Sequence, residues 1–383
     1  MRLFAFGSNG SGQLGIGHQE DVSNPTQCLF TTDPKSKDTT QDINEEITTI
    51  AAGGNHTLLL TKSGTVYATG ANTDGRCGTS APSPSPENVF NRVSITTASG
   101  TVNTFSHVSA TWEGSIFVSS EATDDKVYVL GTNTKGELGV TETLVSSAVC
   151  VPSFPPRGTR VAALASGMAH SVAVLSNGDV WGWGGARKGQ LGSENVVRIA
   201  GPVRIQVPFF AEEVVCGREF SVVSGSGQFV VLGDPGNRWG VLNVPECFEV
   251  SGESGPRGLI RYPYEGIRAS WHGIYVHAAG LDGDAGGEVG SLVAWGRNDR
   301  GQIPPRTLPT PAILAVGSEH VVALLKNGQV VACGWGEHGN CGSDLDALRN
   351  VADRVNLISL PETLEGKVVG VGAGCATSWM VVE

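Results

Sequence analysis

Phe6-Gly7-Ser8-Asn9-Gly10-Ser11-Gly12-Gln13-Leu14-Gly15 contains the pattern Gly-x-Asn-x-x-Gly-x-Leu-Gly, and the pattern returns along the chain. Gly70 to Gly78 (GANTDGRCG) and Gly131 to Gly139 (GTNTKGELG) are full copies, the first with Cys77 in place of Leu. Gly184 to Gly192 (GGARKGQLG) and Gly334 to Gly342 (GWGEHGNCG) keep the glycines and lose the Asn. Gly296 to Ile303 (GRNDRGQI) lacks only the last Gly, and Gly233 to Gly240 (GDPGNRWG) reads as a degenerate copy one residue short. Copies starting at 7, 70, 131, 184, 233, 296 and 334 mark a repeat architecture.

The chemistry of the pattern is that of the backbone. Closely spaced glycines permit positive φ and near approach of chains. The Asn can close a turn with its side chain or adopt the left-handed conformation itself. The Leu, Cys or Ile before the last glycine serves as an apolar plug. A phosphate cradle would need a strand before the glycines and a helix after them; here strand-like stretches and Pro-containing turns follow instead.

Working outward, each turn is preceded by short apolar runs of strand length. Ile47 to Gly53, His56 to Leu60, a hairpin at Lys62-Ser63-Gly64 and Thr65 to Thr69 lead into the second turn. Val161 to Gly167, His170 to Leu175, Asn177-Gly178 and Val180 to Trp183 repeat the unit, as do Ile313 to Gly317, His320 to Leu325, Asn327-Gly328 and Gln329 to Cys333. Val214 to Gly217, Phe220 to Val223, Gly225-Ser226-Gly227 and Phe229 to Leu232 match them. Asn-Gly between apolar runs reads as a two-residue hairpin. Three strands, a glycine turn and a crossing to an outer strand such as Val22 to Phe30 make one four-stranded antiparallel blade. Thr31 to Glu46, Ala81 to Glu87 and the acidic Gly280 to Gly290 read as surface loops, and Ser119 to Asp125 as a longer hairpin.

The two ends complement each other. Lys367 to Gly372 and Ser378 to Val382 are inner strands with no turn after them, and Met1 to Gly15 is a third strand and a turn with no strands before them. Joined, they complete a seventh blade. The expected fold is therefore all-β, a seven-bladed β-propeller spanning residues 1–383 as one domain, one blade shared between residues 1–15 and 367–383. Pairing of the ends also removes exposed sheet edges.

Composition narrows the function. A net charge of −11, from 37 acidic and 26 basic residues, lacks the basic field of a nucleic-acid binder, so no direct nucleic-acid binding is expected. Met1 to Gly10 offers no apolar run long enough for a signal or a membrane span. Cys28, Cys77, Cys150, Cys216, Cys247, Cys333, Cys341 and Cys375 form no Cys-x-x-Cys, and two of them are plugs. Reduced thiols, no membrane, and a cytoplasmic and nuclear location are expected. Gly-x-Ser-x-Gly, His-Glu-x-x-His, a Walker loop and zinc-finger spacing are all absent, so the expectation is no enzyme, no catalytic residue, no cofactor and no metal.

Two sets of residues stand out. His56, His170 and His320 each follow Gly-x-x at the start of a second strand; equivalent units carry Gly, Phe or Thr there, which points to a structural side chain bonding neighbouring backbone. The residue pairs just before that position are Gly54-Asn55, Trp112-Glu113, Met168-Ala169, Arg218-Glu219, Trp271-His272, Ser318-Glu319 and Cys375-Ala376. Repeat register puts all seven pairs on one face around a central channel. Trp and Arg are the types enriched where partners bind. Trp112, Glu113, Arg218, Glu219, Trp271 and His272 are thus candidate partner-binding residues, with Arg238 and Trp239 of the degenerate turn added. Glu113, Glu219 and Glu319 are expected to be a solvated rim, and Trp181, Trp183, Trp295 and Trp335 to be core.

The glycine turns, with Gly53-Gly54-Asn55-His56-Thr57 and Gly167-Met168-Ala169-His170-Ser171 in register, resemble the regulator-of-chromosome-condensation repeat over essentially the whole chain. Length, acidity and the lack of a basic tail are similar to the fungal alpha-tubulin-suppressor branch of that family. The resemblance implies a non-catalytic interaction scaffold. Its implied partner is a small zinc/iron-binding protein of diphthamide synthesis, in a heterodimer, with Elongator and its wobble-uridine modification of tRNA as a further association. The alternative implied by the founding branch is guanine-nucleotide exchange on a small nuclear GTPase.

Overall fold

The computed structural model describes residues 1–383 except 32–37, 80–87, 98–99, 121–123, 194–195, 252–258, 262–263, 279–291 and 363–365. The loops expected at 81–87 and 280–290 lie outside the described residues. All regular structure described is β. No helix is long and apolar enough to cross a membrane among these residues.

Seven antiparallel sheets form the blades of a propeller. Blade 1 contains Ile47–Ala52, His56–Thr61, Val66–Gly70 and Asn91–Arg92; blade 2 contains His107–Ala110, Gly114–Ser120, Asp125–Thr132 and Leu144–Cys150. Blade 3 runs from Val161–Ser166 to Arg198–Ile205, and blade 6 from Pro311–Val316 to Asn350–Ile358. Blade 4 departs from the expected four strands. Its third strand, Gln228–Gly233, pairs with Leu259–Arg261, which pairs in turn with Glu249–Ser251, making five. Blade 5 has Tyr264–Ala269, Gly273–Ala278 and Leu292–Gly296 among the described residues.

Blade 7 closes the ring. Val368–Ala373 and Thr377–Val382 come from one end of the chain, Arg2–Gly7 and Val22–Gln27 from the other. The register runs from Arg2 opposite Val382 to Gly7 opposite Thr377 without interruption. This is the closure the two half-blades called for.

The second strand of each blade is sandwiched between neighbouring blades and reads as an unbroken apolar run rather than an alternating one. His56–Thr61, His170–Leu175, His320–Leu325 and Thr377–Val382 are buried at every position. Outer strands are more open to water, as in Leu144–Cys150, where only Val145 is buried. Apolar clusters lie between adjacent blades: Leu58, Val66, Cys77 and Phe117 join blades 1 and 2, and Val129, Leu138, Val161 and Trp183 join blades 2 and 3.

The repeated Asn closes its own turn. Asn9 Oδ1 accepts the amide of Leu14 at 3.0 Å, Asn72 that of Cys77 at 2.9 Å, Asn133 that of Leu138 at 2.8 Å and Asn298 that of Ile303 at 2.9 Å. The same bond shows that the Gly233 turn is longer than its fellows, not one residue short. Asn237 Oδ1 accepts the amide of Leu242 at 2.8 Å, so Asn237 is the repeat Asn and two extra residues separate it from Gly233. At the Asn177-Gly178 hairpin only Gly178 has positive φ, at 79°, and its amide bonds Leu175 O at 2.8 Å. That is a type I turn followed by a glycine bulge rather than the two-residue turn expected.

Two further readings change. The stretch 31–46 is not all surface loop, because Ile43 is buried and its carbonyl accepts the Met1 ammonium at 2.6 Å. Trp183 and Trp295 are core and Trp181 packs on Phe154, but Trp335 is half-buried under Arg300 rather than in the core. Cys77 and Cys341 are buried plugs as expected. Burial pushes the Cys77 thiol up to about 12, far from a reactive thiolate.

Candidate functional site: the channel mouth

Every blade turns from its inner to its second strand on one end of the ring, and the glycine turns lie at that same end. The inner-strand ends of all seven blades line a central cavity of about 130 Å³, walled by small residues and by Met168, Cys216, Cys375, Trp112 and Trp271. Amide bonds link successive blades around it. Gly54 N donates to Trp112 O at 2.9 Å, Trp112 N to Met168 O at 3.0 Å, Arg218 N to Trp271 O at 3.0 Å, Trp271 N to Ser318 O at 2.9 Å and Ser318 N to Gly374 O at 2.9 Å.

Trp112 and Trp271 meet across this collar. They belong to blades 2 and 5, with two blades between them, yet their ring centroids are 5.6 Å apart with planes tilted by 47°. Both are half-buried. The sequence posed them as inter-blade packing or as free anchors. The rings pack on each other over the channel, and the Trp112 ring also lies against Gly54 of blade 1.

Arginines cap this aromatic pair and extend it outward. The Arg218 guanidinium carbon lies 5.2 Å from the Trp271 ring centroid. Trp239, brought forward by the lengthened turn of blade 4, lies 5.9 Å from His272. Arg238 and Arg297 sit 4.8 and 4.4 Å from the Trp239 ring, and Arg300 sits 5.1 Å from Trp335. Such stacking is worth about 0.5–2 kcal/mol per pair according to solvation. Burial first, then the charges of Arg218, Arg297 and Arg238, hold His272 neutral, its pKa down at about 4, against the opposing charge of Asp299.

Carboxylates tie the turns of one blade to the channel-mouth pair of the next. Arg76 of blade 1 reaches Glu113 of blade 2 at 3.8 Å, and Lys188 of blade 3 reaches Glu219 of blade 4 at 4.0 Å. Arg297 of blade 5 pairs with Glu319 of blade 6 and, at 2.6 Å, with Asp299. Glu113 and Glu219 remain 46% exposed at the side chain, as a rim would be. Glu319 does not: its side chain is 8% exposed and also accepts from Gln302 at 3.3 Å, so it belongs to the blade 5–6 joint.

The histidines are structural, with a partner the sequence did not identify. His56 Nε2 meets Ser115 Oγ at 2.9 Å, His170 meets Ser221 at 3.0 Å and His320 meets Ser378 at 2.9 Å. Each serine lies on the second strand of the next blade. Ser221 in turn donates to Gln190 O at 2.9 Å and Ser378 to Asn340 O at 2.8 Å. Where its hydrogen is committed in this way, the serine accepts from the imidazole, whose Nε2 carries the proton. Burial holds His56 at about 3 and His170 and His320 at about 4. No group of three or more metal-ligating side chains occurs among the described residues.

All eight sequence candidates therefore lie at the channel-mouth end, and five of them (Trp112, Arg218, Trp271, His272, Trp239) form one contact chain with Arg238 exposed at its edge. Arg297 was missed; its signal, a basic residue two before Asp299 in a repeat turn, is visible only once the next blade is in place.

A seven-bladed ring of these turns and histidine–serine joints defines the class of protein. The chain belongs to the RCC1-like domain family, which matches residues 2–380. It is 30% identical to an RCC1 repeat-containing protein of Schizosaccharomyces pombe over 100% of this chain and 99% of that protein. It is 26% identical to the mouse secretion-regulating guanine nucleotide exchange factor over 100% of this chain and 83% of that one. Among solved structures, Prp20p of Saccharomyces cerevisiae superposes with a TM-score of 0.73 at 20% identity, covering 100% of this chain and 91% of that chain. Human WBSCR16 gives 0.74 at 17%, covering 100% of both.

Proposed function

We propose that this chain is a non-catalytic docking propeller that binds a protein partner on its channel-mouth face. The observation that carries the reading is the Trp112–Trp271 pair, two large rings held half-exposed on a rigid collar beside Arg218. Aromatic anchors on a pre-organised surface bind with little ordering cost. The partner class we put first is a small GTPase, whose nucleotide release the docked propeller accelerates without covalent chemistry. A relative named as a guanine nucleotide exchange factor supports this, as does the structural neighbour Prp20p, which has binding properties to Gsp1p and histones.

A second reading keeps the same face and changes the partner to a small zinc/iron-binding protein of the diphthamide pathway, with Elongator-dependent tRNA modification downstream. The resemblance to the fungal branch supports it, together with the end-to-end match to a fission-yeast protein. Either partner would be met in the cytoplasm and nucleus, where we place the chain.

Release of fluorescent GDP from a panel of purified small GTPases tests the first reading; capture from cell extract followed by mass spectrometry tests the second. Trp112→Ala and Trp271→Ala should each weaken the productive interaction by about 2 kcal/mol with an unchanged melting temperature. A lowered melt with full binding would return both residues to a structural role and overturn the proposal.

A further inference from the structure

The strip that begins at Trp112 carries more positive charge than its own carboxylates neutralise. Arg297 is matched by Asp299 and Glu319. Arg218, Arg238 and Arg300 form no ion pair with a carboxylate among the described residues; each lies against an aromatic ring instead. This occurs in a chain whose net charge is −11. Some exposed arginines elsewhere find acids, as Arg204 does with Asp179 and Arg354 with Asp344 at 2.7 Å, and others such as Arg157 and Arg198 face water; those of the strip lie on rings instead. A stacked guanidinium leaves its N–H edge free to receive a planar anion in two bonds.

We propose that the channel-mouth strip receives a carboxylate-bearing segment of the partner, with acidic side chains on Arg218 and Arg238 and apolar side chains on Trp112 and Trp271. This rests on the docking reading above and adds the chemistry of the partner. An acidic surface attracts basic proteins indiscriminately, but it repels an acidic segment everywhere except where local cations reverse the field. Such a patch fixes register and excludes wrong partners more than it adds raw affinity. The positive field is felt at His272, on which three arginine charges act. A Trp271 ring shared between Arg218 on one side and Trp112 on the other sets charge and apolar contacts side by side, which suits a segment alternating acidic and apolar residues.

The probe is a fluorescein-labelled octapeptide alternating Glu and Leu, compared with its Gln–Leu counterpart, a phosphoserine–leucine version and an eight-nucleotide oligothymidylate, by fluorescence anisotropy on the full chain. The Glu–Leu peptide should bind, the Gln–Leu peptide at least about tenfold more weakly, and binding should fall steeply between low salt and about 0.5 M NaCl. Arg218→Gln with Arg238→Gln should abolish the preference at an unchanged melting temperature. Arg218→Lys with Arg238→Lys, which keeps the charge but not the two-bond edge, should restore only part of it, and Arg204→Gln should leave it intact. Equal binding of the Glu and Gln peptides, no binding of either, or preference for the phosphopeptide or the oligonucleotide would overturn the inference. Once a natural partner is captured, loss of binding in Trp112→Ala but not in the arginine-to-glutamine pair would sink the acidic segment and spare the docking face. Retention of binding in both would sink the docking face itself.

Discussion

Acidification should loosen the joints between blades, and the size of the effect follows from three histidines. His56, His170 and His320 are neutral in the folded ring, with pKa values of about 3, 4 and 4, against roughly 6.5 when the chain is unfolded. A base whose folded pKa is depressed gives full stability above the unfolded value and loses it as pH falls below, because the unfolded chain takes up the protons first. The loss therefore begins near pH 6.5 and continues to about 4 for His170 and His320 and to about 3 for His56. At pH 5 each histidine costs about 2 kcal/mol, and the three together about 6 kcal/mol, by linkage at 1.36 kcal/mol per unit. The assay is urea unfolding followed by tryptophan fluorescence at pH 7 and pH 5. In His170→Gln, which keeps an N–H donor for Ser221 and cannot titrate, the loss between the two pH values should shrink by about 2 kcal/mol. An unchanged loss in that variant would refute the assignment of a neutral, buried donor at this joint.

Removal of residues 1–6 should leave Thr377–Val382 and Val22–Gln27 without their shared partner strand and yield aggregated protein; a soluble monomer with native melting behaviour would contradict closure. Gly15→Ala should destabilise by about 3 kcal/mol, since Gly15 has φ +68° and a Cβ there would lie 2.5 Å from the buried Phe90 ring. Gly158→Ala, also at positive φ but with nothing within 4 Å, should cost only about 1 kcal/mol by thermal denaturation, and equal effects would remove the steric argument. Glu319→Gln should strip a buried carboxylate from Arg297 and lower the melting temperature more than Glu113→Gln, whose side chain is half in water. Elemental analysis of the purified chain should find no stoichiometric zinc or iron.

What could be read from residues was whatever the backbone does locally. Gly-x-Asn-x-x-Gly fixed the turns because the Asn side chain bonds an amide five residues on, as from Asn133 to Leu138. Strand closure was legible because the two half-blades were each incomplete. The lengthened turn at Asn237 was misaligned because Gly233 and Gly240 mimic the spacing of the pattern while the bonding Asn lies between them. Lateral partners were not legible. His170 meets Ser221 and Trp112 meets Trp271 only because seven sheets close into a ring of a particular diameter, which no window of sequence contains. Glu319 looked like a rim residue by analogy with Glu113 and Glu219, and its pairing with Arg297 of the neighbouring turn decided otherwise.

The pairing of Arg2–Gly7 with Thr377–Val382 has a consequence for topology. The strands Arg2–Gly7 and Thr377–Val382 are neighbours, with the Arg2 guanidinium 3.5 Å from Glu383 O, so a short linker joining residues 1 and 383 would make a continuous loop of seven blades. Cutting that loop in an exposed inter-blade connection would preserve every strand pair while moving the seam to another blade. The order of blades around the circle, rather than the position of the seam, is then what the fold encodes, and a family of circular permutants should share one native structure while differing in which blade is last to assemble.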